Sequence, residues 1–153
     1  MFFKKQGAGF YFSVLSVLVG IAAVILYVVN SGHSYFDTGT LNSLIVFLSV
    51  LAIGLEVVVI VGSEFKRANK IDDIVIDVLI IAVIALMTLA FMFFVNDRVY
   101  SIAIVLGSDL EAGNTSATEA IYQAIVGFVL YAVSIIFGIV AAFFNIRKPV
   151  QKA

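Results

Sequence analysis

The chain has 153 residues, 63% of them hydrophobic and only 12% charged, with a mean hydropathy of +1.16. A soluble globule carries about twice that share of charge, so the composition excludes one. With no Cys, a single His and a net charge of −1, it also excludes disulfides, thiol catalysis, Cys-ligated metal sites and a basic nucleic-acid surface.

The apolar residues fall in four blocks, near 9–30, 41–63, 74–95 and 119–145. Each is long enough to cross a hydrocarbon core, which takes roughly 20 residues. The pattern predicts an all-α integral membrane protein: one domain, an antiparallel four-helix transmembrane bundle in contact with the lipid bilayer. Lys4 and Lys5 precede the first block, as in a signal peptide. Its apolar run is too long for that, and "NSGHSYF" offers no small-x-small cleavage site, so it reads as a retained span.

Eight of the nine basic residues lie on one side of such a bundle: Lys4, Lys5, Lys66, Arg67, Lys70, Arg147, Lys148 and Lys152. Only Arg98 lies on the other, among Asp37, Asp97, Asp109, Glu111 and Glu119. The positive-inside rule then predicts that both termini and the middle loop are cytoplasmic. A compact chain without Cys or Trp suits the plasma (inner) membrane of a bacterium.

In lipid, small residues and interhelical hydrogen bonds bring helices together. The first span carries Ser13, Ser16, Gly20, Ala23, Tyr27 and Asn30 at steps of three and four, preceded by Gly9. That spacing makes one packing face. The loop after it holds His33 and Asp37. A lone His without Cys cannot build a zinc site; it is either a solvated loop residue or a pH-sensitive group beside outer carboxylates.

Thr38 or Thr40 is the expected cap of the second span, which places Ser49, Ala52, Glu56 and Ser63 on one side. Glu56 is the residue that most needs explaining. An ionised carboxylate within a span costs a few kcal/mol or more, so Glu56 faces the bundle or a wet cavity, or stays protonated. Asp77 enters from the third helix at a similar depth. The two acids form either a pair that shares a proton or holds a cation, or unrelated structural groups. In the second case Glu56 bonds Ser49, a Tyr or a backbone carbonyl, and Asp77 sits near the interface.

Asn69 with Asp72 suits the start of the third helix. Its span shows only Ala82, Ala85 and Thr88 as small or polar surface. The loop region 96–118 follows, and within it 99–107, "VYSIAIVLG", is too short to span and too apolar for water. It either continues the third helix against the outer end of the fourth, or lies on the membrane surface, or meets a partner. In "GSDLEAGNTSATEA", Ser116 and Glu119 read as a capping box that opens the fourth helix. The acids Asp109 and Glu111 fail the EF-hand spacing, since Gly113 falls one place early and Ala120 stands where the last Glu belongs. No metal is expected there, and the "SDLE" part has no evident structural task. Asn114 heads a glycosylation sequon.

The fourth span repeats the steps of the first, with Gly127, Tyr131, Ser134, Gly138, Ala141 and Asn145, and Ala120 and Ala124 ahead of them. Run antiparallel, the first and fourth helices present matching faces.

No phosphate loop, nucleophile elbow, HExxH or dinucleotide turn occurs. The chain therefore reads as neither an enzyme nor a nucleotide- or cofactor-binding protein. Four spans are also found in claudin-like proteins and small multidrug transporters. The Trp and Cys residues of the former and the first-span Glu of the latter are missing, so no family is assigned. Two functions fit. One is a non-enzymatic accessory, scaffold or assembly subunit acting through a protein partner, with His33, Asp37, Asp109 and Glu111 as an outer partner surface. The other is a small homo-oligomeric transporter or channel using Glu56 and Asp77.

Overall fold

A computed structural model describes residues 6–32, 41–65, 70–111, 113–144 and 146. It contains four helices long and apolar enough to cross a membrane, and no strand among the described residues. They are α1 (Ala8–Ser31), α2 (Ser43–Phe65), α3 (Lys70–Gly107) and α4 (Thr115–Phe143), with a single 3-10 turn at Asp109–Glu111.

Pairings across the helices fix an up-down-up-down order. Ser16 meets Ser134 and Asn30 meets Ala120, so α1 and α4 are antiparallel. Ser16 also meets Glu56, and Tyr27 meets Asn42, which does the same for α1 and α2. Asn42 reaches Asp97 on α3, and Phe94 and Ile84 lie against Gly127 and Gly138 on α4. Both ends of the described chain therefore lie at one end of the bundle, here the terminal end. Arg98 marks the other. At the terminal end Gly7 N–H donates to Ile146 O at 2.7 Å, beneath a cluster of Phe10, Val59 and Ile146.

The buried faces follow the heptad rhythm of side-by-side helices. On α1, Ser13, Ser16, Gly20, Ala23, Tyr27 and Asn30 are buried; on α2, Ile45, Ser49, Ala52, Glu56, Val59 and Ser63; on α4, Ala120, Ala124, Gly127, Tyr131, Ser134, Gly138 and Ala141. The α1–α4 seam is the most extensive. Asn145 lies outside the described residues.

The third helix departs from the expected small face. Ala85 is exposed, Ala82 and Thr88 are half-buried, and the Thr88 hydroxyl donates back to Ile84 O. The inward face is Val83, Met87, Ala90, Phe94 and Arg98. Its large side chains enter notches left by glycines on other helices: Met87 at Gly20 and Phe94 at Gly127. One helix of the bundle can be bulky because its neighbours are not.

Helix α3 has 38 residues, about 57 Å at about 1.5 Å per residue, against a hydrocarbon core of about 30 Å. Residues 99–107 are its continuation, and Ile102 and Val105 pack on Ala120, Ile121 and Ala124 of α4. The α3–α4 hairpin thus projects beyond the ends of α1 and α2.

The helix starts differ from the sequence reading. Asn114, not Ser116, caps α4: its Oδ1 accepts from Ser116 N–H and Ala117 N–H at 3.1 and 3.3 Å. Asn42 caps α2 by accepting from Leu44 N–H at 3.2 Å. Thr38, Thr40 and Asn69 lie outside the described residues, as do the side-chain environments of Asp72 and Asp73. An Asn at a cap accepts from the helix and still has an amide to donate. Asn42 Nδ2 donates to Asp97 Oδ2 at 3.4 Å, and Asn114 Nδ2 donates to Glu111 Oε2 at 2.7 Å. Gly113, with φ +86°, makes the turn into α4 in a conformation that favours glycine.

Candidate functional site

Glu56 lies on the inward face of α2, at position 6% exposed. Its Oε2 accepts a hydrogen bond from Ser16 Oγ of α1 at 3.0 Å. Ser16 Oγ also stands 3.1 Å from Ser134 O and 3.5 Å from Ser134 Oγ, and the Ser134 hydroxyl donates to Ser16 O at 2.9 Å. Gly20 helps to make the approach possible, since a Cβ there would be 3.1 Å from Ser134 Oγ. Three helices therefore meet in one polar cluster, with Glu56 its only ionisable member.

A cavity of about 10 Å³ adjoins the cluster. Ser13 and Glu56 are its polar lining; Val59, Ile80, Val83, Ile84, Gly138 and Ala141 form the rest.

Asp77 is not part of this site. It is exposed on α3, while Ile76 beside it packs toward Val59 and Phe10. The expected carboxylate pair is therefore not formed: equal depth on neighbouring helices does not give equal facing. The alternative partners expected for Glu56 are also replaced. Ser49 is engaged by Tyr131, whose hydroxyl lies 2.8 Å from Ser49 Oγ, and Ser49 Oγ donates to Ile45 O at 2.8 Å.

A second polar cluster closes the Arg98 end, and the sequence reading missed it. Arg98, placed there with the loop charges, is 3% exposed inside the bundle. Its Nε donates to Asn30 Oδ1 and its Nη2 to Ser31 Oγ, both at 2.8 Å. Asn30 Nδ2 donates in turn to Ala120 O at 2.9 Å. The last turn of α1 is thereby tied to α3 and α4 through a planar guanidinium, which offers donors in a fixed fork. The available signal was Asn30, an amide ending the small-residue stripe of α1 with no partner assigned to it. Nearby, Tyr27 OH accepts from Asn42 N–H at 3.0 Å, and the Tyr27 and Phe94 rings meet edge to face with centroids 4.8 Å apart.

Of the outer surface expected from sequence, His33 and Asp37 lie outside the described residues. Glu111 is half-buried and holds the Asn114 cap, so the "SDLE" stretch does have a structural task; Asp109 is exposed in the 3-10 turn. Among the described residues no group of three His, Cys, Asp or Glu side chains comes together to hold a metal ion.

Large apolar side chains are also exposed at this end. Tyr100 and Leu106 are 74% exposed and Leu110 is 95% exposed, with Val99 and Ile104 beside them in sequence. No family model, curated protein or solved structure matches the chain.

Proposed function

We propose that this is a small non-enzymatic integral membrane protein that works through a protein partner, as an accessory, scaffold or assembly subunit. Its place is the plasma (inner) membrane of a bacterium, with both termini cytoplasmic. The grouping of Lys and Arg at the terminal end supports that orientation.

The observation that carries the reading is the projecting hairpin. Beyond the level of Arg98, α3 exposes Tyr100, Ile104 and Leu106, and Leu110 follows in the turn. Apolar side chains exposed where the hairpin projects beyond the ends of α1 and α2 suit a contact surface. Ser16, Glu56, Asn30 and Arg98 of the interior, by contrast, are engaged with one another across the helices.

Mild-detergent purification from the native membrane, with mass and composition of the complex determined, tests this. The reading expects a stoichiometric partner that Ile104→Glu with Leu110→Glu releases while the bundle stays folded. A protein that runs alone, with or without these substitutions, sinks it. The sidedness is tested separately with Asp109→Cys, a unique thiol in a chain without Cys; labelling only from the cytoplasm inverts the topology.

One observation favours a second reading, a small oligomeric transporter or channel: a buried carboxyl, Glu56, lines a cavity. Asp77 has no part in it. Flux in reconstituted vesicles, abolished by Glu56→Gln, is its test.

A further inference from the structure

Two buried polar groups share one small space. Ser13 is 2% exposed and Glu56 6% exposed, and both line the cavity of about 10 Å³, a volume that suits a single water molecule. Among the described residues Ser13 Oγ has no hydrogen-bond partner, and Glu56 has Ser16 alone.

The lining decides the class of ligand. A metal cation needs about six oxygen ligands, and this wall supplies one carboxyl and one hydroxyl. Water needs two to four polar partners, which Ser13 and Glu56 provide from α1 and α2. On α3 the wall is Ile80, Val83 and Ile84, and on α4 it is Gly138 and Ala141. Among the described residues no titratable or charged group other than Glu56 lines the cavity.

We propose that this cavity holds one water molecule bridging Ser13 and Glu56, and that protons reach and leave the Glu56 carboxyl through it. In the loading step a hydronium ion at this position gives its proton to a Glu56 oxygen. One O–H bond breaks, one forms, the carboxyl becomes neutral and water remains; release is the reverse.

Ser16 reports which state is present. Its single hydroxyl hydrogen has two acceptors at nearly equal range, Glu56 Oε2 at 3.0 Å and Ser134 O at 3.1 Å. With Glu56 ionised, that hydrogen goes to the carboxylate. With Glu56 protonated, the carboxyl O–H donates to Ser16 Oγ, and the Ser16 hydroxyl turns to Ser134 O. Proton occupancy on α2 is thus passed to the α1–α4 seam. The inference concerns proton binding and stands whether or not the chain carries flux or binds a partner.

The test is water-edited solid-state NMR on the full-length protein in lipid bilayers, with ¹³C-labelled glutamate and ¹⁵N-labelled valine. Glu56–Val57 is the only Glu–Val pair in the sequence, so the signal is assigned without a variant. The expected result is polarisation transfer from water to the Glu56 carboxyl, a carboxyl shift that follows bath pH, and transfer several-fold slower in Ser13→Val, which fills the cavity with carbon. Ser13→Ala, which leaves the space, is expected to slow it less. A Glu56 carboxyl that receives nothing from water in the wild-type chain overturns the proposal. So does transfer undiminished in Ser13→Val, or a shift that stays constant over the whole pH range in which the bundle is folded. If Ser13→Val does not fold, the wild-type transfer and titration decide alone.

Discussion

The ring of Phe94 occupies the space that Gly127 leaves open: a Cβ placed on Gly127 would lie 2.8 Å from Phe94 Cε1 and 3.1 Å from Cζ. The ring has no room to retreat. Tyr27 and Phe128 each meet it at a centroid distance of 4.8 Å, and Tyr131 at 5.8 Å. Gly127→Ala is therefore expected to destabilise the bundle by about 1–3 kcal/mol, the usual cost of overpacking. At Gly138 the nearest atoms to a new Cβ are at 3.6 Å, an ordinary contact. Gly138→Ala is expected to be neutral or to gain up to about 1 kcal/mol from helix propensity. Gly20→Ala falls between, because Met87 Cε at 2.9 Å ends a flexible chain that can swing away, while Ser134 Oγ at 3.1 Å is held by Ser16 O. Reversible unfolding in mixed micelles orders the three variants; equal effects at Gly127 and Gly138 would show that the notch is misplaced.

The same notches explain what was legible in the sequence. The faces of α1 and α4 stand out because Ser, Gly, Ala and Asn recur every three or four residues against a background of Val, Ile and Leu. The face of α3 does not stand out. Val83, Met87 and Phe94 point inward, yet they are the same residue types that α3 turns outward, such as Val78, Met92 and Phe93. A bulky helix that fills its neighbours' glycines carries no compositional stripe of its own. Depth along α3 was legible and its facing was not, which is why Glu56 and Asp77 look paired in the sequence and are apart in the fold.

Arg98 is a second case. As a lone cation at the end of an apolar run it reads as a loop charge, and only three-dimensional pairing with Asn30 and Ser31 brings it inside. Asn30→Ala removes one acceptor for the guanidinium and the donor to Ala120 O. The expected loss is about 2 kcal/mol or more, since hydrogen bonds to charged groups contribute about 1.5–3 kcal/mol. Arg98→Lys is not expected to restore the arrangement, because an ammonium on one stem cannot reproduce the Nε and Nη2 fork. Unfolding of both single variants and the double variant in micelles checks this. Additive losses would mean that the two side chains do not act together.

The start of α4 separates two readings of one loop. Asn114→Ala removes an acceptor for two backbone N–H groups and a donor to Glu111, and about 1 kcal/mol is expected to be lost. Ser116→Ala, which touches no cap bond, is expected to change stability by less than about 0.5 kcal/mol. Amide hydrogen exchange localises the effect. Faster exchange of Ser116 and Ala117 in Asn114→Ala alone assigns the cap to Asn114, whereas the same change in Ser116→Ala restores the capping box.

The contact between Tyr131 and Ser49 allows its direction to be worked out. Ser49 has one hydroxyl hydrogen, and Ile45 O takes it at 2.8 Å, so at the 2.8 Å contact with Tyr131 the phenol donates. Tyr131→Phe then leaves Ser49 bonded within its own helix, and nothing charged is stranded. Ser49→Ala leaves the Tyr131 hydroxyl as a buried donor facing a methyl group, the costlier loss of the two. A double-mutant cycle in micelles is expected to give a coupling of about 0.6 kcal/mol, the typical value for hydrogen bonds between membrane helices, and no more than about 1.7 kcal/mol. If Tyr131→Phe proves more damaging than Ser49→Ala, the donor runs the other way, and the Ser49 hydroxyl is bridging α2 to α4 instead of turning back on its own helix.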